Sequence, residues 1–349
     1  MPLSSVQTST RIPPKWWFAC AGAVVVTILL GVCIGAVGIS PKQTALELLS
    51  HLPGLSIHSN LDETDSAIIW DLRLPRVVLA LVVGSMLATA GSAYQGTFRN
   101  PLADPYLLGV SAGAGLGATV EIVVFESPVR WSLPVAAFIG ALIAVSLTYA
   151  LGSSSIAGRS ASSLVLAGVA VAALLTAAQT LVQQRNSDKV REVYAWILGR
   201  LAVAGWSDLA LVAPYVVVCT VVLLRYRRVL DVFAVGDEEA TTLGLPVARA
   251  RAVIILAASL GTAAAVAVTG LIGFVGIIVP HTIRLIAGNS YRRLLPLSIV
   301  FGGVFLVLAD IIARTAMSPE EIPIGVVTAL IGAPFFLYIL AARKEGSLV

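Results

Sequence analysis

Few patterns in the 349 residues could do covalent chemistry. Gly109-Val110-Ser111-Ala112-Gly113 spells G-x-S-x-G, the nucleophile elbow of serine hydrolases. That motif works at a strand-to-helix turn, with a histidine and an acid in reach. Here it opens an apolar run in which Gly109, Gly113 and Gly117 recur every four residues. Close helix–helix packing through small residues accounts for it better. Gly113-Ala114-Gly115 is no dinucleotide fingerprint, because no strand precedes it. None of the four lysines, Lys15, Lys42, Lys189 and Lys344, follows a glycine. The chain therefore carries no phosphate-cradling P-loop, and if ATP drives it, another subunit binds the ATP.

Ionisable and sulfur side chains are equally sparse. His51 and His58 fall in a polar stretch and read as solvated, and His281 follows Pro280 and reads as a helix-end hydrogen bond rather than a metal ligand. Cys20, Cys33 and Cys219 lie inside apolar runs without C-x-x-C spacing, so packing is expected rather than a disulfide or a metal site. No cofactor is expected. Glu121 and Asp310 are suspects because an acid inside a membrane span is functional by default. Asp310 stands four residues before Arg314, a spacing that permits an ion pair. Glu121 is close enough to its helix end to reach water.

The elements that hold these residues are set by composition. Hydrophobic residues make up 58% and charged ones 12%, with a mean hydropathy of +0.93. That is too little polar surface to coat a water-soluble globule. Apolar runs fall at about 16–38, 74–96, 102–124, 131–151, 162–183, 209–225, 249–268, 271–287, 294–313 and 323–342, each near the length of a membrane-spanning helix. The runs are continuous, not alternating, which excludes a barrel. The first is too long for a signal-peptide core and reads as an uncleaved span. The segment 188–202 reads as an amphipathic interfacial helix. With the N-terminus inside, 14 of the 23 Lys and Arg face the cytoplasm, and 13 of the 19 acids face outward, as the positive-inside rule requires. The net charge of +4 thus reports topology, and no basic stripe with interleaved aromatics suggests nucleic acid. The expected organisation is a cytoplasmic tail 1–15, one permease domain 16–343 with an inner loop at about 229–246, and a cytoplasmic tail 344–349.

Several segments go beyond hydropathy. Arg73-Leu74-Pro75-Arg76 opens the second span on the outside. Arg99-Asn100-Pro101-Leu102-Ala103-Asp104-Pro105, followed by Leu108-Gly109-Val110-Ser111, forms an inner turn. Leu230 to Leu245 reads LDVFAVGDEEATTLGL. Further on come Gly276-Ile277-Ile278-Val279-Pro280-His281, Ile322-Pro323-Ile324-Gly325-Val326-Val327-Thr328 and Gly332-Ala333-Pro334. In this order they resemble the FecCD family, the ten-helix permeases of type II ABC importers for iron–siderophores, haem or vitamin B12. The resemblance runs from about Asp71 to Arg343.

Residue chemistry and resemblance can be set side by side. Arg73 and Arg76, three apart, should project from nearly one helix face, and Arg314 closes the ninth span on the same side. The resemblance implies that these arginines receive acidic residues of an extracytoplasmic substrate-binding protein, for which a guanidinium fork is suited. On chemistry alone, snorkelling to lipid phosphates is an equal alternative. The loop Leu230–Leu245 reads as two short helices turning at Gly236, with Asp237, Glu238 and Glu239 opening the second. The resemblance makes this loop, with Leu243, Gly244 and Leu245, the element that docks into the ATPase subunit. The bland alternative is a solvated amphipathic turn. Asn100 and Leu102 match the family's inner constriction. Ser162 matches its second, although Ser160-Ala161-Ser162-Ser163 departs from the usual Thr-Ser pair.

The expectation is an all-α polytopic membrane protein of about ten spans with both termini cytoplasmic and the type II permease fold. It would form the channel as a homodimer or with a paralogue. Two ABC ATPase subunits and one binding protein would serve it. The cargo would be a metal chelate, ferric siderophore first, then haem, then cobalamin. A secondary transporter driven by an ion gradient is the leading rival and predicts acids at mid-span without a docking loop. A membrane-embedded enzyme would need clustered His, Asp or Glu at one depth.

Overall fold

The computed structural model describes residues 12–345, apart from 36, 52–58, 60, 154–160 and 203. Most of the expected N-terminal tail, His58, Ser160 and the last four residues of the expected C-terminal tail lie outside the described residues.

Helix α1 (Pro14–Cys33) is followed by the outer helices α2 (Pro41–Ser50) and α3 (Glu63–Ala67). A π-helical turn, Ile68–Arg73, runs on into α4 (Leu74–Phe98). Then come α5 (Val110–Val120) with a π turn Glu121–Phe125, α6 (Ser132–Gly152) and α7 (Ala161–Arg185). The short α8 (Val190–Ile197) precedes α9 (Trp206–Arg225). Two small helices, α10 (Arg227–Phe233) and α11 (Asp237–Thr242), interrupt the bundle before α12 (Val247–Thr269), α13 (Val275–Ala287), α14 (Tyr291–Thr315) and α15 (Ile324–Glu345). Among the described residues seven helices are long and apolar enough to cross a membrane, and three shorter apolar ones, 110–125, 275–287 and 324–339, join them. The expected all-α polytopic class is what the chain adopts.

Burial separates an inner triad from a periphery. The apolar stretches of the continuous helix 63–98, of α12 and of α14 are 78%, 72% and 56% buried, against 17% in α7. Small residues let the triad close up. A Cβ on Gly84 would collide with the carbonyl oxygen of Gly302, which brings α4 and α14 backbone to backbone. Gly113 meets Gly140 of α6 in the same way, and Gly117 meets Ala136, so the glycine repeat serves packing. Gly109 is not part of that face. It caps α5 from the left-handed region at φ 79°.

Two spans begin later than hydropathy predicts. The third was expected from residue 102, but α5 starts at Val110; the eighth was expected from 271, but α13 starts at Val275. The residues between are irregular backbone packed against neighbouring helices inside the bundle. Thr148, one turn inside the end of α6, donates to the carbonyl of Leu108 at 3.0 Å, and Gly168 of α7 abuts the carbonyl of Leu107. Tyr106 joins the two breaks. Its hydroxyl donates to the Ile272 carbonyl at 2.9 Å and accepts from the Ile272 N–H at 3.1 Å. Unpaired backbone at this depth is tolerated only where protein or a cavity satisfies it.

Candidate functional site

Three features along the bundle combine into a candidate conduit: a polar groove, a charged outer rim and an inner element beside a turn.

The groove lies where α7 faces α5 and α8. It has a volume of 330 Å³ and is lined by Ser111, Gly115, Thr176, Gln179, Thr180 and Gln183, with Tyr194 and Leu271 at its edge. Thr176, Gln179, Thr180 and Gln183 stand at i, i+3, i+4 and i+7, one face of a helix. Gly115 leaves room for the Gln179 amide, whose oxygen would sit 2.9 Å from a Cβ there. Polar side chains on a span turn toward water or another subunit rather than hydrocarbon. Sequence reasoning missed this stripe because mean hydropathy averages four polar residues into a run of Ala, Val and Leu. The 3-4-7 spacing was the available signal.

At the outer rim the three arginines are buried: Arg73 is 6%, Arg76 9% and Arg314 6% exposed. Arg76 and Arg73 do not share a face. The π turn 68–73 widens the helix by a residue per turn, so Arg73 swings to the end of α1. There it donates to the carbonyls of Val32 at 2.8 Å and Cys33 at 3.1 Å, and to that of Val37. Arg76 is doubly bidentate. Nε lies 3.0 and 3.1 Å from the two Asp310 oxygens and Nη2 2.8 Å from Oδ1. Nη1 and Nη2 reach the Glu321 carboxylate at 2.9 and 3.0 Å. Arg314 pairs with Asp310 at 3.5 Å through the i,i+4 spacing and donates to the Gly31 carbonyl at 2.6 Å. Asp310 is wholly buried and Glu321 39% exposed in its side chain. Glu121 also differs from expectation: it is buried, and its Oε1 has no hydrogen-bond partner. The π turn that begins at Glu121 rolls the carboxylate under neighbouring helices instead of out to water.

At the inner face the loop folds as two helices turning at Gly236, whose φ of 154° an L side chain rarely adopts. Ala240 is buried, whereas Glu238, Glu239 and Gly244 are exposed and Leu245 half-buried. Leu243 and Val235 are exposed at 70% and 67%. Apolar side chains bared beside acids on a loop make a face suited to a protein partner. Asp237 differs from its two neighbours and turns toward the bundle, where Arg251 holds it at 2.7 Å. The turn after α4 carries Asn100, whose side-chain oxygen accepts from the Leu102 N–H at 2.9 Å. Asn100 and Leu102 are exposed, as is Ser162 at the start of α7.

The sequence model of the FecCD transport family matches residues 23–342. The cobalamin import system permease protein of Halobacterium salinarum is 40% identical, covering 95% of this chain and 97% of its own. The hemin transport system permease protein of Yersinia pestis is 40% identical over 79% of this chain and 84% of its own. A solved structure described as a metal-chelate type ABC transporter in an inward-facing conformation superposes with a TM-score of 0.81 at 29% identity. That likeness covers 95% of this chain and 100% of the solved one.

Proposed function

The chain belongs to the FecCD transport family, and we propose that it is the permease subunit of an ATP-binding-cassette importer for an iron(III)–siderophore or a related chelate, haem and cobalamin included. It is a multi-pass protein of the cell membrane, built to move a solute rather than to transform one. Two copies, or this chain and a paralogue, face each other across the α5–α7 groove and enclose the path. The domain stays single, 16–343, with the tails at both ends in the cytoplasm. ATP hydrolysis belongs to two copies of a separate ATPase subunit, which seat on the face made by Glu238, Glu239, Leu243, Gly244 and Leu245, with Gly236 buried at the turn behind it. Asn100, Leu102 and Ser162 narrow the inner exit. An extracytoplasmic binding protein delivers the cargo at the outer rim. All three guanidinium nitrogens of Arg76 are engaged within the chain, so a carboxylate docking there exchanges with Glu321, its half-exposed partner.

The observation that carries this reading is the polar face of α7, a span whose apolar window is only 17% buried within one chain. Single cysteines at Thr176 and Thr180, in a background lacking Cys20, Cys33 and Cys219, test it. A membrane-impermeant maleimide is expected to label both from the outside and to lose access when nucleotide is trapped. Labelling of neither position would mean that lipid, not water, covers the groove. Purified permease in liposomes should take up no chelate until the ATPase is added.

A further inference from the structure

The three acids that open α11 do not face the same way. Glu238 and Glu239 are exposed, on the side where Leu243 and Val235 are bare. Asp237 points into the body of the bundle. Both its oxygens lie on one nitrogen of Arg251, at 2.8 and 2.7 Å, and the Arg99 Nη2 stands 3.9 Å from Oδ1. Neither arginine belongs to the loop. Arg251 sits in the second turn of α12, is 8% exposed, and lies 5.7 Å over the ring of Phe233 in α10. It also borders a cleft shared with Gly152 of α6 and Leu164 of α7. Arg99 is the C-cap of α4 and is held in the left-handed region at φ 49°. The residue after it is Asn100, which begins the turn containing Leu102.

One carboxylate thus ties a six-residue helix, α11, to α12 and to the C-cap of α4, two of the three most buried spans. We propose that Asp237 is a positioning residue that transmits movement of the inner loop to the gate turn through Arg251 and Arg99, and is not a contact for the ATPase. This rests on the importer reading above and sharpens it: Glu238, Glu239 and Leu243 receive the push, and Asp237 passes it on. The geometry suits the task. A carboxylate shared between two cations can favour one or the other as α11 tilts, which gives the two arrangements that transmission between sites requires. The Arg251 pair is short and its arginine nearly buried, so it holds α11 to α12. The Arg99 approach is longer and more exposed, so it is the contact free to close or open.

The test reads the gate without any cargo. Leu102→Cys is introduced into the permease lacking its native cysteines, co-expressed with the ATPase subunit and reconstituted. Labelling by an impermeant maleimide from the cytoplasmic side is measured with and without ATP plus vanadate. Asp237→Asn is expected to keep the ATPase co-purifying and hydrolysing, while the nucleotide-dependent change in labelling falls about tenfold, the size of an ordinary coupling between sites. Arg99→Gln, on the other side of the same carboxylate, should diminish that change as well while the ATPase is retained, which a role of Asp237 confined to holding α11 on α12 would not predict. Glu238→Lys with Glu239→Lys should instead release the ATPase.

Two results overturn the proposal. One is loss of the ATPase from Asp237→Asn to the same extent as from the Glu238 and Glu239 reversals. The other is an undiminished labelling response in Asp237→Asn. If Asp237→Asn does not purify as a monodisperse protein, Arg99→Gln decides: a diminished response with the ATPase retained supports transmission, and an undiminished one overturns it. A parent protein that neither retains an ATPase nor responds to nucleotide brings down the importer reading itself, an outcome separate from either of these.

Discussion

At the outer rim Arg76 has two carboxylates from its own chain, and the nearer, on Asp310, is wholly buried. At the inner face Asp237 has a side chain 38% exposed and two arginines at unequal distances, 2.7 and 3.9 Å. Both clusters join segments far apart in sequence, yet their physics differs. A buried ion pair held by several hydrogen bonds resists change, because separating the partners leaves an uncompensated charge in a poorly solvating interior. A half-exposed pair can part at little cost, because water takes over the lost contact. The outer cluster holds the ends of α1, α4 and α14 in register. In the inner one the Arg99 contact, half-exposed on both sides, is the part that can be remade at little cost.

The largest expected effect lies at the rim. Asp310→Ala leaves Arg314 with a single main-chain carbonyl and Arg76 with Glu321 alone. The expected loss is about 3–5 kcal/mol, seen as a lower unfolding midpoint in detergent or as failure to accumulate in the membrane. An unchanged midpoint would erase the contrast between the two clusters.

Glu321→Gln should have a middle-sized effect of opposite sense on a different readout. It removes the internal competitor for Arg76, so a binding protein should dock more tightly at low salt by about 1 kcal/mol, roughly fivefold. Weaker docking in a surface-binding assay would count against carboxylate exchange at the rim. Asp237→Asn should cost only about 0–1 kcal/mol in stability, despite its expected effect on coupling. A midpoint drop as deep as that of Asp310→Ala would show the inner cluster to be a second rigid brace.

The smallest effect concerns Glu47 of α2, in the outer segment. Burial pushes its carboxyl pKa up, but hydrogen bonds from Ser59, Ser66 and Trp70 and the nearby His51 bring it net below the usual value. A depressed carboxylate contributes stability that is present above its unfolded pKa and fades as pH falls through the folded one. Glu47→Gln should therefore lower the unfolding midpoint modestly at neutral pH and cease to matter once the pH has fallen below the depressed folded-state pKa. A difference that persists in acid would assign the effect to shape rather than charge.

How much of this was legible in the residues depends on range. The inner loop was readable because its information is local: a glycine between two short apolar–acidic runs, with Gly236 supplying the turn. The paired short helices followed. The spans were visible from hydropathy, but the late starts of α5 and α13 were not, since Pro101, Leu102, Ala103 and Pro105 are apolar enough to pass for helix. The partners of Arg76 were out of reach: Asp310 stands 234 residues away, and no periodicity connects them. The i,i+4 pair of Asp310 with Arg314 was local and was seen. Glu121 was misjudged because a helix-end position says nothing about what packs over it.

The junction at Tyr106 and Ile272 bears on how the protein is made. Helix α13 has 13 residues, about 20 Å at 1.5 Å per residue, against a hydrocarbon layer of about 30 Å. Alone, such a segment is a poor substrate for the insertion machinery, which favours fuller apolar lengths. It should enter the bilayer as a hairpin with α14, and α5 with α6, so that biogenesis waits on the longer partner emerging from the ribosome. The breaks that give the finished bundle its interior crossing therefore also set the order in which its parts reach the lipid.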